Sequence, residues 1–125
     1  MSVWLFIVTC LAGSAGAVAR FVVDGEIRRR WVSSLPWATL IINVSGSLLL
    51  GVVTGAVVGH GEPSVWKTVV GTGFCGGYTT FSTAMVETLR LAQARAGAVA
   101  VGYSLVTIVA SAVAAALGLV LGWRV

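Results

Sequence analysis

The sequence predicts an all-α integral membrane protein with four transmembrane helices, the third of them broken. Three observations point there. Of its 125 residues, 58% are hydrophobic and only 10% are charged, against about 25% charged in an ordinary soluble domain. The apolar residues fall into four blocks, and a spanning helix takes roughly 20 residues. The chain therefore has room for four crossings and little else, which makes one domain over residues 1–125. The blocks are also too long for strands and do not alternate, whereas a helix satisfies its own backbone polar groups in lipid.

The first helix is expected over about 3–23, apolar except for Ser, Thr and Arg20. It lacks the positive leader of a signal peptide, and although Ala15-Gly16-Ala17 has the small residues of a cleavage site, the segment reads as a retained helix. Residues 24–34 read as a polar loop holding Arg28-Arg29-Arg30. The second helix follows over about 35–58, begun by Pro36, which suits a first helical turn, and Trp37, which suits the membrane interface. A short turn at 59–63 leads to the third segment, about 64–92, and the fourth covers about 97–123.

The net charge of +4 is scattered over segment ends, which marks membrane borders rather than a nucleic-acid surface. Arg28, Arg29, Arg30, Arg90 and Arg95, with Arg20 near its helix end, fall on the side of loops one and three. The opposite side carries Lys67 and Arg124. This bias places loops one and three in the cytoplasm and both termini outside, with the protein in the cell (inner or plasma) membrane. Cys10 and Cys75 lie in apolar stretches, where free thiols act as small hydrophobes. With no paired-cysteine motif and no histidine cluster, a zinc-type site has no support. His60, in the turn, has no assigned role. No nucleophile–base pair appears, so the chain does not read as an enzyme.

The third segment carries Gly71-Thr72-Gly73-Phe74-Cys75-Gly76-Gly77-Tyr78-Thr79-Thr80-Phe81-Ser82-Thr83. Adjacent Gly76 and Gly77 followed by two threonines weaken a helix. Residues 65–75 cover about half the hydrocarbon core and 80–91 the other half, so the weak point falls near the midplane. A break there frees carbonyls that lipid cannot satisfy but a cation can. Close helix packing through the glycines is the competing explanation, and the flanking threonines favour a break.

In the second helix Asn43, Ser47, Gly51, Gly55 and Gly59 recur at steps of four on one face. The glycines form a close-packing stripe. Asn43 either joins helices or lines a polar path. In the fourth helix Tyr103, Thr107 and Ser111 make a hydroxyl row, either a hydrated track or hydroxyls bonded back to their own helix. Arg20 and Glu87 are the charges closest to membrane depth, where a charge costs about 2.5–3.5 kcal/mol on insertion scales. Snorkelling to the interface accounts for both. The functional alternative makes Arg20 a structural anchor and places Glu87 in a vestibule.

These residues resemble the Fluc (CrcB-type) fluoride channels. The resemblance spans almost the whole chain. It is carried by Gly-Ala-Val-Ala-Arg-Phe from Gly16 to Phe21, by Asn43-Val44-Ser45-Gly46-Ser47 with Gly51, by the run from Gly71 to Ser82, and by the four-helix layout. It implies a dual-topology antiparallel dimer with two narrow pores along the subunit interface. It implies a structural sodium ion held by backbone carbonyls of Gly76 and Thr79, with Gly77 structural, and no organic cofactor. It implies that Asn43, Phe81, Ser82, Thr83, Tyr103, Thr107 and Ser111 line the pore, with the positive ring edge of Phe81 facing the anion. The activity implied is passive export of cytoplasmic fluoride, without ATP.

The family pattern continues with a second phenylalanine where this chain has Ala84. Some members work as paralogous pairs of fixed orientation, which the charge bias suits, so the partner is either a second copy or a paralogue. Two alternatives stand beside the channel. One is a membrane scaffold or support subunit for a paralogous channel chain. The other is a small multidrug-resistance type exporter, which depends on a carboxylate deep in its first helix, where this chain has none.

Overall fold

A computed structural model describes residues 2–33, 35–61, 63–94 and 96–125. The chain is all-helical among the described residues: α1 (Val3–Arg30), α2 (Trp37–His60), α3 (Ser64–Trp66), π1 (Lys67–Cys75), α4 (Gly76–Tyr78), α5 (Ser82–Gln93) and α6 (Gly97–Arg124). Three of these, α1, α2 and α6, are long and apolar enough to cross a membrane. The third segment is built from shorter pieces.

α1 begins at Ser2, whose hydroxyl accepts the Leu5 N–H, and it corrects the expected loop at 24–34. The helix continues to Arg30, so the arginine triplet forms its last turn. Two effects extend it. Cations in a last turn complement the helix dipole. Acidic residues one turn earlier then pair with them, Asp24 with Arg28 at 2.9 Å and Glu26 with Arg29 and Arg30 at 2.8 and 3.3 Å. α2 likewise runs past its expected end to His60, and Gly61, at φ 67°, closes it in the left-handed conformation that glycine adopts without strain.

Helix packing follows the glycines. α2 and α6 run parallel and form the most extensive pair. A methyl at Gly51 would overlap the Ala115 carbonyl, and one at Gly55 the Leu119 carbonyl. From the other side, methyls at Gly118 and Gly122 would overlap the carbonyls of Leu48 and Val52. The expected packing stripe on α2 thus has a reciprocal stripe on α6. α1 meets π1 and α4 in the same manner, with Gly16 against the Phe74 carbonyl and Gly77 against the Gly13 carbonyl.

The buried core is correspondingly rich in small residues, among them Ala38, Cys75, Ala84, Ala100 and Ala114, beside the larger Ile42 and Tyr103. The large apolar side chains point outward, including Phe6, Leu11, Phe21, Leu105, Ile108 and Leu117, the arrangement expected where lipid is the solvent. Exposed Trp4, Trp66 and Trp123 mark one end of the bundle, and Trp31 and Trp37 the other, as interfacial aromatics do. Arg28, Arg29, Arg30 and Arg90 share the second end. Arg95, counted with them in the charge bias, lies outside the described residues.

The segment over 64–93 departs from a plain helix twice. Lys67–Cys75 winds as a π-helix, a rare form concentrated at functional sites. Gly76 and Gly77 are then helical, and the backbone leaves the helix at Thr79 (φ −80°, ψ 159°), to resume at Ser82. The residues that step out of the helix are the threonines and Phe81, not the glycine pair.

Candidate functional site

Among the non-helical residues Thr79, Thr80 and Phe81, Thr80 takes its backbone hydrogen bonds from a side chain. Asn43 Nδ2 donates to the Thr80 carbonyl at 2.8 Å, and the Thr80 N–H donates to Asn43 Oδ1 at 2.8 Å. One carboxamide thus satisfies both backbone groups of Thr80, and the pairing fixes which way the amide points. Asn43 joins elements, as one of its two expected readings held, and its partner is backbone. Thr80 Oγ1 accepts the Thr83 N–H at 3.3 Å and donates to Thr83 Oγ1 at 3.2 Å, which caps α5. The Thr79 N–H and hydroxyl both donate to the Cys75 carbonyl, at 2.9 and 2.8 Å.

This diversion leaves carbonyls of the last helical turn without their helical donors. In a continuing α-helix Gly76 would accept from Thr80 and Thr79 from Thr83. Both donors are engaged elsewhere, the first by Asn43 and the second by Thr80 Oγ1. Among the described residues no group of His, Cys, Asp or Glu could hold a metal ion. Freed backbone carbonyls are oxygen donors of the kind a hard cation takes.

A cavity of about 540 Å³ lies beside the interruption. It brings together Asn43, Gly76, Thr79, Phe81, Tyr103, Thr107 and Ser111. Ala84, 3% exposed, forms part of the wall, and the Phe81 ring, 77% exposed, lies at the rim. No charged residue among the described ones lines it. Thr107 Oγ1 and Ser111 Oγ are buried and have no hydrogen-bond partner among the described residues. Back-bonding, the bland alternative for this row, is seen instead at Thr9, Ser14, Thr68 and Thr88.

Ser82 and Thr83 do not line this cavity. Ser82 is exposed on the first turn of α5. Thr83 faces a smaller space of about 180 Å³ shared with Arg20, Asp24 and Thr39. Arg20 forms no ion pair among the described residues. Gly77 packs on α1, away from the cavity lining. Sequence reasoning missed Ser104 and Thr88, which line the cavity and share a hydrogen bond at 3.2 Å. Ser104 adjoins Tyr103 in the chain, but the hydroxyl row read at steps of four passed over it.

Tyr103 is buried at the end of the hydroxyl row, and its OH donates over long distances, 3.4 Å each, to the Pro36 carbonyl and to Glu87 Oε2. Glu87 is 8% exposed and is joined to Arg28 Nη2 at 2.6 Å. The Glu87 carboxylate is therefore paired rather than free.

The family model described as "CrcB-like protein, Camphor Resistance (CrcB)" matches residues 7–119. "Fluoride-specific ion channel FluC 2" of Cutibacterium acnes is 50% identical over 117 residues, covering 93% of this chain and 95% of that protein. "Fluoride-specific ion channel FluC 1" of Leifsonia xyli is 52% identical over 95 residues, covering 76% of this chain and 69% of that one. "Fluoride-specific ion channel FluC 1" of Symbiobacterium thermophilum is 46% identical over 123 residues, covering 90% and 93%.

Proposed function

The chain belongs to the CrcB-like family, and from that membership we propose that it is a fluoride-selective ion channel that lowers cytoplasmic fluoride by passive flow. The observation that carries the mechanism is the pair of buried, unpartnered hydroxyls, Thr107 and Ser111, facing a cavity without charged walls. Fluoride is small and holds its water strongly, so a pathway must replace that water with donors. Hydroxyls, the second Nδ2 hydrogen of Asn43 and the edge of the Phe81 ring are donors of that kind. A lysine or arginine in the wall would hold the ion too long for conduction.

The working unit in this reading is an antiparallel dimer in the cell membrane, with loops one and three cytoplasmic. A second copy, or a paralogue, covers the cavity and the exposed Phe81. The segment over 64–93 then acts as the fourth span, interrupted within the bilayer, since α3, π1, α4 and α5 together match the length of the other spans. The Gly76 and Thr79 carbonyls would hold a structural sodium ion, which supplies a fixed positive charge where two copies meet. Arg20 anchors the cytoplasmic half of α1, and Ser82 and Thr83 stand off the large cavity. The exporter alternative is not favoured, because Glu87 is ion-paired and the expected first span (3–23) contains no acid.

Fluoride efflux from liposomes holding the purified chain, with chloride as competitor, tests the proposal. Fast fluoride-selective efflux that Asn43→Asp abolishes is the expected result. A well-folded dimer that passes no fluoride would favour the scaffold role, with Ala84 as its mark, and co-reconstitution with a paralogue would then show whether a pair conducts.

A further inference from the structure

Glu87 is the charged side chain buried among the described residues, and it stands between two cavities. One, of about 410 Å³, is lined by Arg28, Glu87 and Arg90 at the arginine-rich end of the bundle. The other is the large cavity, whose Tyr103 hydroxyl reaches Glu87 Oε2. A carboxylate in this place opposes an anion in two ways. It repels the ion, and it competes for the Tyr103 proton that the ion would need.

The structure places one guanidinium against both effects. Arg28 Nη2 binds Glu87 Oε1 at 2.6 Å while Arg28 Nε binds Asp24 Oδ1 at 2.9 Å. A single cation therefore serves the two carboxylates and draws Glu87 toward α1. Tyr103 is left with two acceptors at 3.4 Å, near the limit of a hydrogen bond. Its proton is held firmly by neither and can turn to a third acceptor in the large cavity. Arg90, on the smaller cavity at the arginine-rich end, adds positive charge for an incoming anion.

We infer that Arg28 is a positioning residue for the anion pathway, acting through Glu87 to neutralise the buried carboxylate and keep the Tyr103 hydroxyl available to the ion. The inference rests on the channel reading. Without Arg28, Glu87 loses its partner at 2.6 Å and is free to close on Tyr103.

The test measures fluoride efflux from liposomes for the wild-type chain, Arg28→Gln, Glu87→Gln and the double variant, each checked for dimer recovery by size exclusion. Arg28→Gln should lower efflux by about tenfold or more, the scale on which a mouth's field alters ion capture. The double variant should return to within about threefold of Glu87→Gln alone, because the charge that Arg28 offsets has gone. A bond that only clamps α1 to α5 predicts no such recovery. Efflux of Arg28→Gln equal to wild type, or a double variant as slow as Arg28→Gln, overturns the inference. Arg28→Lys keeps the charge but cannot bridge both carboxylates, so its efflux should lie between wild type and Arg28→Gln. A loss as large as that of Arg28→Gln would also overturn it, and decides the matter if the Gln variant does not assemble. Absence of flux from the wild-type protein would instead sink the channel reading, and the inference with it.

Discussion

α6 has two working stretches along one face, and they are built on opposite rules. Over its C-terminal half it meets α2 through glycine. Gly118 lies against Leu48 and Gly51, and Gly122 against Val52 and Ala56, so closely that backbone touches backbone, and the stabilisation comes from contact area. Nearer its start it carries Thr107 and Ser111, buried and without partners among the described residues, next to a backbone that borrows its hydrogen bonds from Asn43. A protein in lipid gains nothing from burying hydrocarbon against hydrocarbon, so shape must hold the first stretch. Unpaired hydroxyls weaken the second, and their presence marks it as a surface kept for something other than stability.

That contrast can be broken from the seam side first. Gly118→Val places a side chain into the Leu48 carbonyl. It should destabilise by about 3 kcal/mol or more, read as loss of folded protein in a detergent thermal melt. Asn43→Ala comes next. It leaves the Thr80 N–H and carbonyl without partners and should cost about 3 kcal/mol in the same melt, with loss of flux. An Asn43→Ala protein as stable as wild type would mean that water replaces the amide.

On the polar side the two readouts should separate. Thr107→Val with Ser111→Ala removes two unsatisfied hydroxyls. Stability should stay within about 0.5 kcal/mol of wild type or rise, while fluoride efflux falls about tenfold. Equal loss of stability and flux would make these hydroxyls structural. The smallest effect is expected at Thr88. Its hydroxyl is already engaged by the Ala84 carbonyl and Ser104, so Thr88→Val should change efflux by less than about twofold.

What the sequence made legible was whatever repeats along it. Four apolar blocks gave the helical class, glycines at steps of four gave one wall of the α2–α6 seam, and Tyr103, Thr107 and Ser111 gave one side of the cavity. What it concealed came from partners far apart in the chain. Asn43 and Thr80 are separated by 37 residues and Arg28 and Glu87 by 59, and no local pattern announces either pair. One misreading was local. Arg28-Arg29-Arg30 looked like a loop because charge was weighed ahead of the i,i+4 spacing from Asp24 and Glu26, which favours a helix. The glycine pair and the threonines after it marked the weak stretch, and intrinsic weakness says only where a helix is easy to leave. Where it leaves is decided by the side chain able to accept the freed backbone, and that is Asn43.

The glycine seam has a further consequence for the cavity. Asn43 stands on α2 and Thr107 and Ser111 on α6, so the seam fuses the two sets of donors into one plate. Close-packed backbones do not stretch apart by tenths of an ångström as side chains do. In the proposed channel the seam would hold amide and hydroxyls at a fixed spacing that does not widen for a larger halide. Loosening it with Gly59→Ala, whose methyl would press on Trp123 at 3.0 Å, should raise chloride leak relative to fluoride flux. An unchanged ratio would place the sizing of the ion elsewhere in the molecule.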